Sequence, residues 1–261
     1  MYNHGRIILC GGVCMIRVGI VGGTGKLGKD IIRLLIEHTE ITLGAVVARK
    51  NNPFAGKELG SLIESQITDI IIQDDILGAS EKCDLYIDCT NVDSFMENYD
   101  AYVLGNKPVI IATTGFESKD MEKINLLAES IPVVVCPNFS IGVYKFLKLI
   151  KLAASEFCID ANIDILEYHH KFKKDKPSGT AIEIAKTIRE SGFEEQINVH
   201  SVRAGNIVGE HSVLFTTDDN ERIEISHKIY SRDGFSRGVM ETIKWIIDKD
   251  VGLYGIEDIF N

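Results

Sequence analysis

A short apolar run, Ile16 to Val21 (IRVGIV), passes directly into the glycine-rich turn GGTGKLG at 22–28. The residues after it, Lys29 to Glu37, carry helical spacing, with Ile31, Leu34 and Leu35 on one side. Strand, glycine loop and helix in this order constrain the fold more than any other stretch. Gly22, Gly25 and Gly28 form GxxGxxG, and Gly23, Gly25 and Gly28 form GxGxxG. Glycine lets the backbone turn tightly and approach a pyrophosphate, which then rests on the N-terminus of the following helix. The expected dinucleotide loop is Gly22, Gly25, Lys26, Leu27 and Gly28.

Further apolar strands alternate with helices downstream. Leu43 to Val47, Asp84 to Asp88, Val109 to Ile111 and Val133 to Cys136 read as strands. Helices are expected near Phe95 to Leu104 and Lys119 to Glu129, and the stretch from Asn51 to Ile76 is less regular, with only Ile67 to Ile72 strand-like. This alternation implies a parallel sheet covered on both faces. The end of the second strand selects the nucleotide. An acid there would bind the ribose 2′-hydroxyl of NAD, whereas this chain has Ala48, Arg49 and Lys50. Two cations and no carboxylate suit a 2′-phosphate, so NADPH is the preferred cofactor and NADH a possible one. The loops Cys89-Thr90 and Thr113-Thr114-Gly115-Phe116 follow strands of the same sheet, where open α/β folds hold ligands.

The pattern changes after Pro137. A helix from about Val143 to Glu156 precedes the alternating strand Ile159 to Tyr168, and another helix spans Ala181 to Glu190. Val199 to Ala204, Glu210 to Thr216 and Arg222 to Lys228 then follow one another without helices, which favours an antiparallel or mixed sheet. A second module therefore begins near Asn138. The last helical run, Val239 to Ile247, and the tail Gly252 to Phe260 could belong to either module.

At 261 residues, 45% hydrophobic and 25% charged, the chain is long enough for two modules with real cores. A net charge of -10 argues against a general nucleic-acid or membrane-surface binder. No apolar run approaches the roughly 18 residues of a membrane span. The six cysteines form no CxxC pair, so reduced thiols in a cytoplasmic protein are expected, and no metal site. Residues 1–14 read as a leader outside the core, with the working chain starting at Met15.

Against this acidic background stands one basic island. His169 and His170 are followed by Lys171, Lys173, Lys174 and Lys176, with Asp175 the only acid among them. Such a cluster repels itself unless an anion sits in it. The Pro-Ser-Gly-Thr turn that follows opens a helix, whose start offers N–H groups to an anion. Thr180 and Glu183 read as a capping box with Thr180 the N-cap, leaving Ser178 and the turn's N–H groups for a carboxylate. Histidine has the right pKa range for a proton donor near neutrality. Lys171, Lys174 and Lys176 read as solvated charge.

The stretch EYHHKFKKDKPSGTA (167–181) resembles the active-site signature of the 4-hydroxy-tetrahydrodipicolinate reductase (dihydrodipicolinate reductase) family. The resemblance extends from Ile16 through GGTGKLG, DLYIDCT (84–90), ATTGF (112–116), PNFSIGV (137–143), RAGNIVGEH (203–211) and GLYGIEDI (252–259). It implies an α/β chain with a Rossmann-type dinucleotide-binding domain at 15–137. It also implies a substrate-binding and oligomerisation domain of α+β type on a mixed or antiparallel sheet at 138–237, and a segment 238–261 returning to the first. The implied reaction is NAD(P)H-dependent reduction of a cyclic imine dicarboxylate, with loss of water, in diaminopimelate and lysine biosynthesis, by a homotetramer. His169 then matches the proton donor and Lys173 its partner. His170, Ser178, Gly179 and Thr180 match the positions that hold the substrate carboxylates. Thr90, Ala112, Thr113, Thr114, Gly115, Asn138 and Phe139 fall on the cofactor side.

Three departures from the family pattern stand out. Ala48 replaces the acid of NADH-using members, Ala112 replaces the glycine before Thr-Thr-Gly, and the loop from Ser191 to Val202 is short. Two other readings compete: another two-domain oxidoreductase acting on amino or oxo acids, and an NADP-binding redox sensor without turnover. The Pro-Ser-Gly-Thr turn beside paired histidines speaks against the first. The pairing of His169 with Lys173 speaks against the second.

Overall fold

The computed structural model describes residues 9, 10, 13–63, 69–157, 161–218 and 220–261. Ten strands are numbered here from Ile16 onwards. They are β1 Ile16–Val21, β2 Ile41–Val47, β3 Leu85–Asp88, β4 Val109–Ile111, β5 Pro132–Val135, β6 Ala161–His169, β7 Ile197–Arg203, β8 Gly209–Thr217, β9 Arg222–Ile229 and β10 Gly252–Tyr254. The strands Leu9–Cys10 and Val13–Cys14 pair with each other ahead of them. The chain divides into two compact units, residues 1–139 with 239–261 and residues 140–238.

The first unit holds a parallel six-stranded sheet in the order β10-β5-β4-β3-β1-β2. The order reverses between β1 and β3, and the loop 22–28 leaves the carboxyl end of β1 at that switch point. Strands β3 and β4 are buried along their whole length, as expected for a sheet covered on both faces. The helix Lys26–Ile36 buries Ile31, Ile32 and Leu35, while Leu34 is only partly covered. The helix Ser236–Ile246 leads into β10, which adds to the sheet beside β5, so the tail's ambiguity is resolved by strand pairing.

Two expectations need revision here. The single helix near 95–104 is two helices, Val92–Glu97 and Tyr99–Gly105, which meet at Asn98, where φ is -87° and ψ is -3°. The strand expected at 67–72 contributes only isolated bridges, Glu58 to Ile71 and Val47 to Gln73, and its first two positions lie outside the described residues.

The second unit is a four-stranded mixed sheet in the order β9-β8-β6-β7. β8 runs antiparallel to both β9 and β6, whereas β6 and β7 are parallel. The helix Gly179–Glu190 makes the crossover from β6 to β7, so the basic loop 170–178 lies at the carboxyl end of β6 and leads into a helix start. Ile163, Ile165, Val213 and Phe215 on the inward face pack with Phe146 and Ile150 of the helix Ile141–Phe157 and Ile184 and Ile188 of the crossover helix. Each of the six aliphatic and aromatic side chains Ile163, Ile165, Val213, Phe215, Ile184 and Ile188 is fully buried, worth about 1.5–3 kcal/mol apiece relative to exposure.

Candidate active site

The inward face of β6 changes character along its length. Successive side chains on one face are two residues apart, so Ala161, Ile163, Ile165, Glu167 and His169 share it, all of them buried. The register sets His211 of β8 opposite Glu167 and Arg203 of β7 beside His169. One end of the face is therefore hydrocarbon, and the carboxyl end of β6 is a cluster of imidazole, carboxylate and guanidinium.

Glu167 organises the cluster. Its Oε2 lies 2.5 Å from His169 Nδ1, and Arg203 grips both oxygens, Nη1 to Oε2 at 2.9 Å and Nη2 to Oε1 at 2.8 Å. The backbone N–H of Ser178 adds a contact to Oε1 at 3.2 Å, which ties the helix start to the same carboxylate. Burial alone would raise the Glu167 pKa. The Arg203 fork, the Ser201 hydroxyl and His169 overcome it and bring the carboxyl down to about 2. His169 moves down from its ordinary value, chiefly through burial and further through Lys173 and Arg203, while Glu167 pulls the other way. His211 stands edge-on to His169 with ring centroids 5.2 Å apart. Burial, with His169 and His227 nearby, pushes it down to about 3, and neither of its ring nitrogens has a hydrogen-bond partner among the described residues.

The basic loop is strapped to β7. Ala204 N–H donates to the His169 carbonyl, Lys171 N–H to the Gly205 carbonyl, and Arg203 Nη2 to the Asp175 carbonyl. Lys173 pairs with Asp175 at 2.8 Å and is three-quarters covered. Lys171, Lys174 and Lys176 are exposed, and His170 is half-buried. The capping assignment shifts by two residues. Ser178, not Thr180, is the N-cap, with an extended backbone at φ -69° and ψ 155° and its Oγ accepting from Ala181 N–H. Thr180 and Gly179 lie inside the first turn.

The nucleotide side belongs to the first unit. Glycine is required by close approach at two positions of the loop. A Cβ at Gly28 would lie 2.6 Å from the Gly22 carbonyl oxygen, and one at Gly22 would lie 2.9 Å from the Cys89 oxygen. No side chain caps the helix Lys26–Ile36, so the N–H groups of Lys26, Leu27 and Gly28 open at a helix start. This bare, Cβ-free cradle fits a pyrophosphate. Arg49 and Lys50 are exposed just beyond β2 and form no salt bridge among the described residues. The Thr113 hydroxyl donates to the fully buried Asp88, as do the hydroxyl and N–H of Thr90 and the hydroxyl of Tyr102. Thr114 and Gly115 are exposed, Ala112 and Phe139 are buried and Asn138 is half-buried.

Comparison with known proteins decides what these two sites belong to. The family descriptions "Dihydrodipicolinate reductase, N-terminus" and "Dihydrodipicolinate reductase, C-terminus" match residues 16–139 and 142–260. The chain belongs to the dihydrodipicolinate reductase family. It is 36% identical to the 4-hydroxy-tetrahydrodipicolinate reductase of Syntrophus aciditrophicus (strain SB), covering 94% of this chain and 98% of that one. Identity to the same enzyme of Geotalea daltonii is 34%, with the same coverage. The dipicolinate-bound dihydrodipicolinate reductase from Paenisporosarcina sp. TG-14 superposes with a TM-score of 0.73 at 28% identity, covering 94% of this chain and 99% of that one.

In this dihydrodipicolinate reductase family member, the second unit brings together His169, Lys173, Ser178 and the helix start at Gly179 and Thr180. The first gathers the glycine loop with the turns at Thr90 and Thr113. Sequence reasoning left Glu167, Arg203 and His211 without a role. Their signal was present in β6, where an inward-facing hydrophobic alternation runs into Glu167 and His169 at the same period of two.

Proposed function

We propose that this chain is a nicotinamide-nucleotide-dependent oxidoreductase that reduces 4-hydroxy-tetrahydrodipicolinate to tetrahydrodipicolinate, with loss of water, in diaminopimelate and lysine biosynthesis. One observation carries the reading: in a member of this reductase family, His169 lies beside Lys173 and a helix start and is held by a buried carboxylate. When bound, the reduced nucleotide supplies the hydride. The first-turn N–H groups at Gly179 and Thr180, with His170 and Ser178, bind the carboxylates of the substrate ring and orient it. Hydride addition leaves carbanion or enamine character on the ring, and His169 delivers the proton that quenches it. Lys173 adds fixed positive charge against the dianion. Bound carboxylates favour the imidazolium, offsetting the burial that lowers the His169 pKa.

The cofactor is held by Gly22, Gly25, Lys26, Leu27 and Gly28 at the pyrophosphate. Thr90, Ala112, Thr113, Thr114, Gly115, Asn138 and Phe139 line the path towards the nicotinamide. Arg49 and Lys50 favour NADPH over NADH, because they can pair with a 2′-phosphate that NADH lacks. The reading includes a homotetramer assembled through the second unit and residence in the cytoplasm. No helix among the described residues is long and apolar enough to cross a membrane. The test is NADPH oxidation with substrate freshly formed from pyruvate and aspartate semialdehyde. Turnover that requires both substrate precursors supports the proposal; an inert wild-type protein that still binds NADPH overturns it in favour of a sensor.

A further inference from the structure

Glu167 is a fully buried carboxylate, and four of its hydrogen bonds tie together the imidazole, the helix start and β7. They reach the imidazole through Nδ1, the helix start through Ser178 N–H, and β7 through both ends of the Arg203 guanidinium. A buried ion pair that served stability alone would have no need to engage the reacting imidazole. We infer that Glu167 and Arg203 are positioning residues acting in opposition on His169: Glu167 fixes the Nδ1–H tautomer and favours the imidazolium, while Arg203 keeps Glu167 ionised and limits that effect. The inference rests on the reductase reading for its catalytic consequence, though not for the coupling itself.

The geometry fixes how the proton moves. With Nδ1 committed to Glu167, the ring is left with Nε2 to face a substrate. A Cβ at residue 209 would come within 3.3 Å of Nε2, so Gly209 keeps that nitrogen open. The imidazolium gives its Nε2 proton to the ring carbon, forming a C–H bond, and the electron pair of the broken N–H bond stays on a neutral imidazole. The Nδ1 proton remains on nitrogen, because a carboxylate held by a bidentate guanidinium is a poor base. The other groups facing His169 are accounted for. His211 on β8 is neutral, and Lys173 from the basic loop opposes the imidazolium while being itself offset by Asp175.

The decisive measurement is nitrogen-15 NMR of the His169 ring in the full-length protein without substrate, beside the pH profile of kcat/KM. In the wild type, neutral His169 should carry its proton on Nδ1. Glu167→Gln keeps an acceptor at Nδ1 but removes the charge, and should lower the His169 pKa by about one unit or more, the scale of an opposite charge within ~4–6 Å. The alkaline limb of kcat/KM should move down with it. Arg203→Met should move both upward, and Arg203→Lys, which keeps the charge, should hold them near the wild-type position. Should Glu167→Gln not fold, the wild-type tautomer and the two Arg203 variants carry the test. A neutral ring protonated on Nε2, a pKa indifferent to both residues, or shifts of the same sign would overturn the inference. A protein that shows the opposed pKa shifts yet does not reduce the substrate would refute the reductase reading and leave the coupling intact.

Discussion

Thr113 donates its hydroxyl to the fully buried Asp88 carboxylate at 2.9 Å. Asp88 ends β3 and Thr113 follows β4, so this one bond ties together two turns at the carboxyl edge of the parallel sheet. Thr90 and Tyr102 donate to the same carboxylate. Asp88→Ala leaves the buried hydroxyls of Thr113 and Tyr102 without their acceptor, while that of Thr90 keeps the Asn91 carbonyl, and a loss of about 2–3 kcal/mol is expected. Urea unfolding measures it. A loss below about 0.5 kcal/mol, the range of ordinary surface substitutions, would show that Asp88 does not organise these turns.

The second prediction concerns the glycine loop. Gly28→Ala puts a methyl group 2.6 Å from the backbone oxygen of Gly22, an atom that cannot swing aside. The loop must open, and the Kd for NADPH should rise at least about tenfold, a change of about 1.4 kcal/mol. Fluorescence titration of NADPH reads this directly, and an unchanged Kd would mean the pyrophosphate lies elsewhere.

The proposed preference for NADPH rests on exposed charge rather than packing. Arg49→Ala and Lys50→Ala together should weaken NADPH while leaving NADH almost unchanged. The ratio of the two kcat/KM values is the measurement. Equal losses for both nucleotides would remove these side chains from 2′-phosphate recognition.

The proposed proton donor can be separated from binding. His169→Gln should lower kcat by about 10²–10⁴-fold, the typical contribution of a positioned acid, with the Kd for NADPH nearly constant. Loss of nucleotide affinity in step with kcat would contradict the assigned role.

His211 offers a stability test with a defined sign. Its folded pKa is depressed from 6.5 to about 3, so the folded state binds fewer protons than the unfolded one between those values. Stability is full above about pH 6.5 and falls as the pH drops towards 3. The depressed Glu167 pKa removes more, from 4.5 down to about 2. Because neither His211 nitrogen has a hydrogen-bond partner among the described residues, His211→Phe forfeits none of these bonds. It should gain stability relative to wild type at pH 5 compared with pH 8. A difference between the two proteins that does not change with pH would show that His211 is not buried in its neutral form.

Much of this molecule was legible in the order of residues. The strand, glycine loop and helix from Ile16 to Ile36 announce themselves because local periodicity and close backbone approach are properties of contiguous sequence. The same holds for the crossover helix after Pro177, although the sequence pattern points to Thr180 rather than Ser178 as its cap. Ser178 took that place because its backbone, not its side-chain chemistry, is extended there. What the chain could not declare by itself was how distant strands align. The meeting of Glu167 with Arg203, 36 residues away, and with His211 across the antiparallel pair depends on a register set by packing of the whole sheet. The spent hydroxyl of Thr113 was equally invisible, since its acceptor, Asp88, lies 25 residues earlier. Sequence determined which groups the protein carries and which elements present them. Tertiary structure decided which of those groups are buried together, and in a buried cluster the neighbours, more than the residue type, set the charge and the direction of every proton.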